Sequence, residues 1–309
     1  MTKVGNEGGN GAGKDSSNNV GKTVSTTTST ATSTTARKSA RKYVDQELLT
    51  LAEPDALFDV LAAMEGDVYR EVGSRRTFRF EHGGRGYFAK LHFGVGWREI
   101  FKNLVSFRLP VLGASNEWRA IARLRLLRVP TMDAVAYIDD GWNPATRRSV
   151  IVTRELIDTI SLEDVAEQLA LSPVKKRRLI GEAARLSAAM HDGGVNHRDL
   201  YLCHFHVVRE SLAATFPQLH VIDLHRAQIR DSTPRRWLVK DVGGLFFSTF
   251  DAGLTRRDYL RFIRDYTGRP LREALRDSGF WDDVQKRAVR LYRAEFGAVP
   301  PRIEEMLGG

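Results

Sequence analysis

The chain of 309 residues is 42% hydrophobic, enough to fill a sizeable core, and carries a net charge of +9. Its single cysteine, Cys203, excludes an internal disulfide framework and a cysteine-based zinc site, and reads as a small buried apolar residue. The first 42 residues hold seven basic against two acidic side chains, so more than half of the positive excess is confined there, and no nucleic-acid-reading module accompanies the rest.

Residues 1–42 read as a disordered tail, because 24 of the first 36 are Gly, Ser, Thr or Asn and bury too little apolar surface to offset ordering entropy. The tail has no apolar core of the signal-peptide kind, and the chain has no run approaching a membrane span, which predicts a soluble, cytoplasmic protein. Residues 54–65 have helical spacing. After Gly66 the pattern alternates through Val68, Tyr69, Thr77, Phe78, Phe80, Tyr87, Phe88 and Leu91, predicting two or three antiparallel strands with Gly83, Gly84, Arg85 and Gly86 as a turn. Apolar residues at 97, 100, 101 and 104 predict a short amphipathic helix, and a further helix spans Ser115 to Leu127 before Pro130. Strands at 133–138 and 149–153 complete a small mixed sheet.

From there the chain is mainly helical. Ser161 with Asp164 has the form of a helix cap, and Ser172-Pro173 opens a long helix towards Met190. Two apolar runs, 204–208 and 219–224, form a hairpin across a long loop, and no internal repeat is present.

The chemistry-bearing signal is His197-Arg198-Asp199-Leu200, between the long helix and the hairpin, with Asp223 at the hairpin's far end, Lys90 on a strand and Glu117 on a helix. A lone HRD triplet is weak. Four such elements in this order supply what phosphoryl transfer needs: a cation for phosphates, a carboxylate to hold it, a base for the attacking hydroxyl and a carboxylate for a divalent metal.

With these residues the chain resembles the protein-kinase-like superfamily from about residue 60 onward. The resemblance implies an α+β bilobal fold: an N-lobe over 43–156 with the small mixed sheet and helices, and a mainly helical C-lobe over 157–309. It implies that Lys90 contacts ATP phosphates and pairs with Glu117, that Asp199 with neighbouring Arg198 forms the catalytic pair, and that Asp223 binds Mg2+. His204 stands where protein kinases carry a second metal-ligating Asn, and because imidazole is a poor ligand for a hard cation one metal or two is left open. The glycine-rich loop is reduced to Gly73, where Arg75 and Arg76 are candidates to contact phosphate in place of backbone amides, the other reading being solvated strand charges. Arg154, Glu155 and Leu156 occupy the hinge position, with Glu155 and Leu156 expected to hold adenine through backbone groups. By the same analogy Asp241 braces the catalytic loop.

Longer strings, GVGWREIFKNL (94–104), LPVLGASNEWRAI (109–121), GVNHRDLYLCHF (194–205), VIDLHRAQ (221–228) and LTRRDYLRF (254–262), are similar to the lipopolysaccharide core heptose(I) kinase family. That resemblance implies ATP-dependent phosphorylation of the first inner-core heptose on a lipid A-linked acceptor at the inner membrane's cytoplasmic face. The alternatives are another inner-core sugar (the second heptose or Kdo) or a catalytically silent scaffold. No nucleic acid and no stable protein partner is implied. Peripheral membrane contact has two candidate surfaces: Trp97, Ile100, Phe101 and Leu104 beside Arg98, Lys102 and Arg108, and Arg256, Arg257, Arg261 and Arg264 interleaved with Tyr259 and Phe262. For both, packing of the apolar stripe into the core is the competing reading.

Overall fold

The structure, a computed structural model, describes residues 41–94, 113–141, 143 and 146–301. The segment read as tail lies outside the described residues except for Arg41 and Lys42, and the helix read from Trp97 to Leu104 lies outside them entirely. The described residues form one compact unit.

Strands β1 (Arg41–Val44), β2 (Asp67–Val72), β3 (Arg75–His82), β4 (Arg85–His92), β5 (Ala134–Asp140) and β6 (Arg148–Arg154) make one sheet in the order β1-β5-β6-β4-β3-β2. Every pairing is antiparallel, which corrects the mixed sheet read from the sequence. β4 and β5 run in the same direction, but β6 lies between them. The turn between β3 and β4 is two residues, Gly83 and Gly84, with φ of 56° and 75°, the sign both central positions of a type I′ hairpin require. Arg85 and Gly86, read as part of that turn, already belong to β4. β1 begins inside the segment read as tail and pairs with β5 from Arg41 opposite Asp139 to Val44 opposite Ala136.

Alternation gives the two faces of this sheet different duties. Tyr87, Ala89 and Leu91 of β4, Val150 and Val152 of β6, and Phe78 and Phe80 of β3 pack with Leu48 of α1 (Gln46–Leu49) and Leu57, Phe58 and Leu61 of α2 (Leu57–Ala63). On the other face, Thr77, Lys90, Ile151, Tyr137 and Tyr43 form a row in which each residue stands opposite the next. Helix α3 (Ser115–Leu126) lies on that face: Trp118 stacks on Tyr137 and meets Tyr43, both at 5.1 Å between ring centroids. A one-residue slip of β4 would turn Lys90 into the apolar core, so the register is strongly specified.

The remaining helices are α4 (Leu162–Gln168), α5 (Pro173–Asp192), α6 (Arg235–Phe247), α7 (Arg256–Thr267), α8 (Leu271–Ala274) and α9 (Ser278–Phe296). Their starts follow the expected caps: Ser161 Oγ accepts the Asp164 N–H at 3.0 Å, and Ser172 precedes Pro173 at the first position of α5. The hairpin of β9 (Phe205–Val208) and β10 (Leu219–Val221) gains a third strand, β7 (Thr159–Ser161), and β8 (Val195–Asn196) pairs with β11 (Gln228–Ile229). His204, read as the hairpin's first residue, sits in the helical turn before β9. The basic stretch around Arg256–Arg264 is α7, whose Tyr259, Phe262 and Ile263 are core residues. Arg261 and Arg264 pair with Asp258 and Asp265. Tyr259 and Phe262, the aromatic residues of this second candidate membrane surface, are therefore committed to packing. Among the described residues no helix is long and apolar enough to cross a membrane.

Candidate active site

Lys90 emerges from β4 on the face opposite the small apolar core, and its Nζ lies 2.7 Å from Glu117 Oε1 and 3.0 Å from Asp223 Oδ1. Glu117, in the first turn of α3, is 1% exposed. Burial by itself would weaken the Lys90 ammonium, yet Glu117 and then Asp223 outweigh it and hold its pKa above the ordinary lysine value. Burial likewise opposes ionisation of Asp223. The hydrogen bond from His225 Nδ1, at 2.7 Å, and the Lys90 charge prevail and keep this carboxyl well below the usual carboxylate range. Asp223 has left-handed backbone angles, φ 59° and ψ 55°, a conformation aspartate tolerates better than most residues.

The loop from Gly194 to Leu202 has little regular structure, and side chains from elsewhere hold it. Asp241 of α6 is fully buried, and its Oδ2 and Oδ1 accept the backbone N–H groups of His197 (2.6 Å) and Arg198 (2.8 Å). The brace expected of Asp241 is thus present as two charge-assisted hydrogen bonds. Asp199 Oδ1 accepts from Arg226 Nη1 at 3.0 Å. His204 Nδ1 lies 2.6 Å from the Asp199 carbonyl oxygen, and because a carbonyl only accepts, Nδ1 carries the hydrogen. In the neutral ring Nε2 then keeps its lone pair, and it lies 3.7 Å from Asp223 Oδ2. His204 therefore links the catalytic loop to the carboxylate that Lys90 contacts from the sheet. His197 stacks on His204 at 5.4 Å and donates from Nε2 to the Ile222 carbonyl at 2.9 Å, and burial, then the neighbouring His204, lowers its pKa.

Other residues singled out in the sequence divide by strand alternation. Arg75 stands opposite His92 on the Lys90 face, and burial, with Arg75 and Lys90 adding positive field, pushes the His92 pKa down to about 3. Arg76 points the other way and donates to the carbonyls of Ala62 (3.1 Å) and Met64 (2.9 Å) at the end of α2, so of the two arginines read as phosphate contacts it is committed elsewhere. Gly73 forms the tight β2–β3 turn at φ 58°.

In the stretch read as a hinge, the Arg154 N–H bonds to the Asp133 carbonyl and the Glu155 N–H to the Gly86 carbonyl, so both of these backbone donors are already engaged. The Glu155 carboxylate grips Arg79, with Nε and Nη2 both at 2.9 Å. A Cβ on Gly86 would sit 1.8 Å from Glu155 Oε2, so this contact needs glycine there. Cys203 is half-buried, with its thiol pushed by burial up to about 11 and hence protonated at neutral pH.

Sequence reasoning missed His225 and Arg226. They stand two and three positions after Asp223, and that nearness in sequence was the signal available: His225 contacts Asp223 and Arg226 contacts Asp199.

The sequence profile of the lipopolysaccharide kinase (Kdo/WaaP) family matches residues 59–266. The chain is 51% identical over 241 residues to the lipopolysaccharide core heptose(I) kinase WaaP of Pseudomonas aeruginosa, covering 76% of this chain and 90% of that protein. It is 46% identical over 235 residues to the protein of the same name from Escherichia coli K12, covering 74% and 88%. A solved structure of WaaP in complex with acyl carrier protein superposes with a TM-score of 0.71 at 44% identity, covering 82% of this chain and 99% of that one. The fold is kinase-like, and the chain belongs to the lipopolysaccharide kinase (Kdo/WaaP) family.

Proposed function

We propose that this chain transfers the γ-phosphate of ATP to a hydroxyl of the first heptose of a lipid A-linked inner core, with 43–156 as the nucleotide-gripping lobe and 157–309 as the acceptor lobe. The observation that carries this reading is the single contact chain from Lys90 through Asp223 and His204 to Asp199. Lys90, steadied by Glu117, neutralises nucleotide phosphate charge, and Glu155 and Leu156 present hinge backbone to adenine. Gly73 lets the β2–β3 turn close over the nucleotide. Asp199 orients the acceptor hydroxyl and takes its proton, while Arg198 and Arg226 set its position and field.

Of the two residues read as metal ligands, Asp223, a carboxylate held ionised, fits a hard divalent cation, whereas the His204 imidazole beside it is a poor ligand for one. Asp223 would hold Mg2+, which when bound neutralises charge on the transferred phosphoryl group. The retained Lys90, Glu117, Asp199 and Asp223 argue against a silent scaffold.

Two features of the relatives extend to partners. An acyl carrier protein, present with the solved neighbour, is a candidate partner of this chain as well. A lipid-anchored acceptor places the working enzyme at the inner membrane's cytoplasmic surface. The family name spans Kdo and heptose kinases, so the test is phosphate transfer from labelled ATP to lipid A-linked acceptors truncated after each successive sugar. Incorporation should begin when the first heptose is present. Incorporation into an acceptor ending at Kdo, or only after a second heptose, would overturn the assignment.

A further inference from the structure

Beside the loop that carries Asp199, positive charge gathers in excess of the carboxylates that the described residues place there. Around the indole of Trp237, near the start of α6, lie the guanidinium carbons of Arg198 and Arg230, each 5.4 Å from the ring centroid, that of Arg236 at 5.2 Å, and Lys240 Nζ at 5.5 Å. Asp199 and Asp241 act on Arg198, and Asp199 on Lys240, but both carboxylates are engaged: Asp199 with Arg226, and Asp241 with the loop amides and His191. Arg230 bonds to neutral amide oxygens, Asn196 Oδ1 and Gln228 Oε1. Burial, then Arg226, lowers the Arg198 pKa; burial, then Arg198 and Arg226, lowers that of Lys240. The cations thus repel one another. Two buried donors in the same cluster, Arg198 Nε and Trp237 Nε1, have no acceptor among the described residues. An orphaned buried N–H costs about 1–3 kcal/mol, and two beside a knot of unpaired cations call for an external acceptor.

The helix is built to hold this arrangement. Gly243 and Gly244 sit in the interior of α6, where glycine costs about 1 kcal/mol each relative to alanine. A Cβ on Gly244 would meet the Leu200 carbonyl at 3.1 Å and the Tyr201 ring at 3.2 Å, and one on Gly243 would meet the Arg287 stem at 3.0 Å. The pair lets the catalytic loop settle onto α6 and draws in a further cation, Arg287, whose Nε donates to the Lys240 carbonyl at 3.3 Å.

We propose that Lys240, Arg198 and the Trp237 Nε1–H form an oxyanion subsite for the acceptor, taking a carboxylate or phosphate ester that the glycan carries beside the sugar facing Asp199. The proposal rests on the sugar-kinase reading above and deepens it: the substrate class is an acidic glycan, recognised by its charge. The nucleotide is not the anion meant, because its phosphate cation is Lys90 on β4, whereas the cluster hangs from the catalytic loop, the residue after β11 and α6, and includes no residue of the six-stranded sheet.

The test is calorimetric titration of deacylated core oligosaccharide into the full chain saturated with a non-hydrolysable ATP analogue. Three probes are compared: the native glycan, one with its carboxylates reduced to alcohols, and one stripped of phosphate. The parent should bind at least one treated glycan tenfold or more weakly than the native one, and the treatment responsible names the anion. In Lys240→Gln the native-to-treated ratio should collapse towards one, Lys240→Arg should restore it, and Trp237→Phe should reduce it while keeping the ring. Equal binding of all three glycans by the parent, or a parental ratio in a Lys240→Gln protein that melts like the parent, would overturn the subsite. Binding is read without turnover, so a chain that phosphorylates a different sugar fails the transfer assay yet keeps this preference.

Discussion

The sheet that carries Lys90 and the loop that carries Asp199 stand at the two ends of one chain of contacts, and they are held by different means. Lys90 is fixed by the ladder: Thr77 on one side and Ile151 on the other set its register, and the period of two sets its face. Asp199 has no ladder. Its loop departs from favoured geometry at Gly194 (φ 79°) and Arg198 (φ 76°), and its amides find their acceptor in Asp241, more than forty residues later. A Cβ on Gly194 would sit 1.9 Å from the Arg230 carbonyl, so the loop is also pressed against a segment remote in sequence. The sheet tolerates exchange of many side chains because the backbone holds itself. The loop depends on single side chains, and changes there should be both more damaging and more specific.

The largest expected effect falls on that loop. Asp199→Asn should lower phosphate transfer by about a thousandfold, within the range general-base groups contribute, while the melting temperature stays close to the parent's. A variant with near-parental turnover would remove Asp199 from the mechanism. Asp241→Ala comes next and separates bracing from chemistry. It leaves two buried amides without an acceptor and should destabilise the chain by about 3 kcal/mol, read by urea denaturation, with activity falling in step. An Asp241→Ala protein of unchanged stability would show that the loop holds itself, and the comparison drawn above would fail.

On the sheet side the effects shrink. His92 has a pKa of about 3 in the folded chain against about 6.5 when unfolded, so between those values the unfolded state binds more protons. The stability contributed by its neutral ring is complete above about pH 6.5 and is lost as pH falls towards 3, at up to about 1.4 kcal/mol per pH unit. His92→Gln should flatten the acid limb of the stability curve between pH 6 and 4 by that slope. An unaltered slope would mean that His92 titrates normally. Smallest is the Glu155–Arg79 pair: Glu155→Ala removes a partly exposed ion pair and should leave the melting temperature close to the parent's. Gly86→Ala, which drives a methyl group into the same carboxylate, should match it, and a much larger loss in either would mark the hinge as rigid in the manner of the loop.

Legibility in the sequence follows the same division. The three strands β2 to β4 and the caps of α4 and α5 were readable because alternation and capping are local signals. Strands β1, β7, β8 and β11 were not, since two to four residues show no period, and they are strands only because a partner lies beside them. The basic stretch of α7 offered both a membrane reading and a core reading from one pattern, and packing of Tyr259 and Phe262 decided for the core.

At the site, Lys90, Glu117, Asp199 and Asp223 were singled out from motif order, because phosphoryl transfer restricts which residue types can serve and in what succession, and Asp241 by analogy. The commitment of Arg76 to the end of α2, the proton fixed on His204 Nδ1, and the cations collected around Trp237 did not follow. The sequence by itself determined the kind of chemistry and the local elements that carry it, through signals spanning a few residues. Tertiary structure decided which face each arginine occupies, which nitrogen of His204 is free and where positive charge is left unpaired, because those depend on distances between segments far apart in the chain.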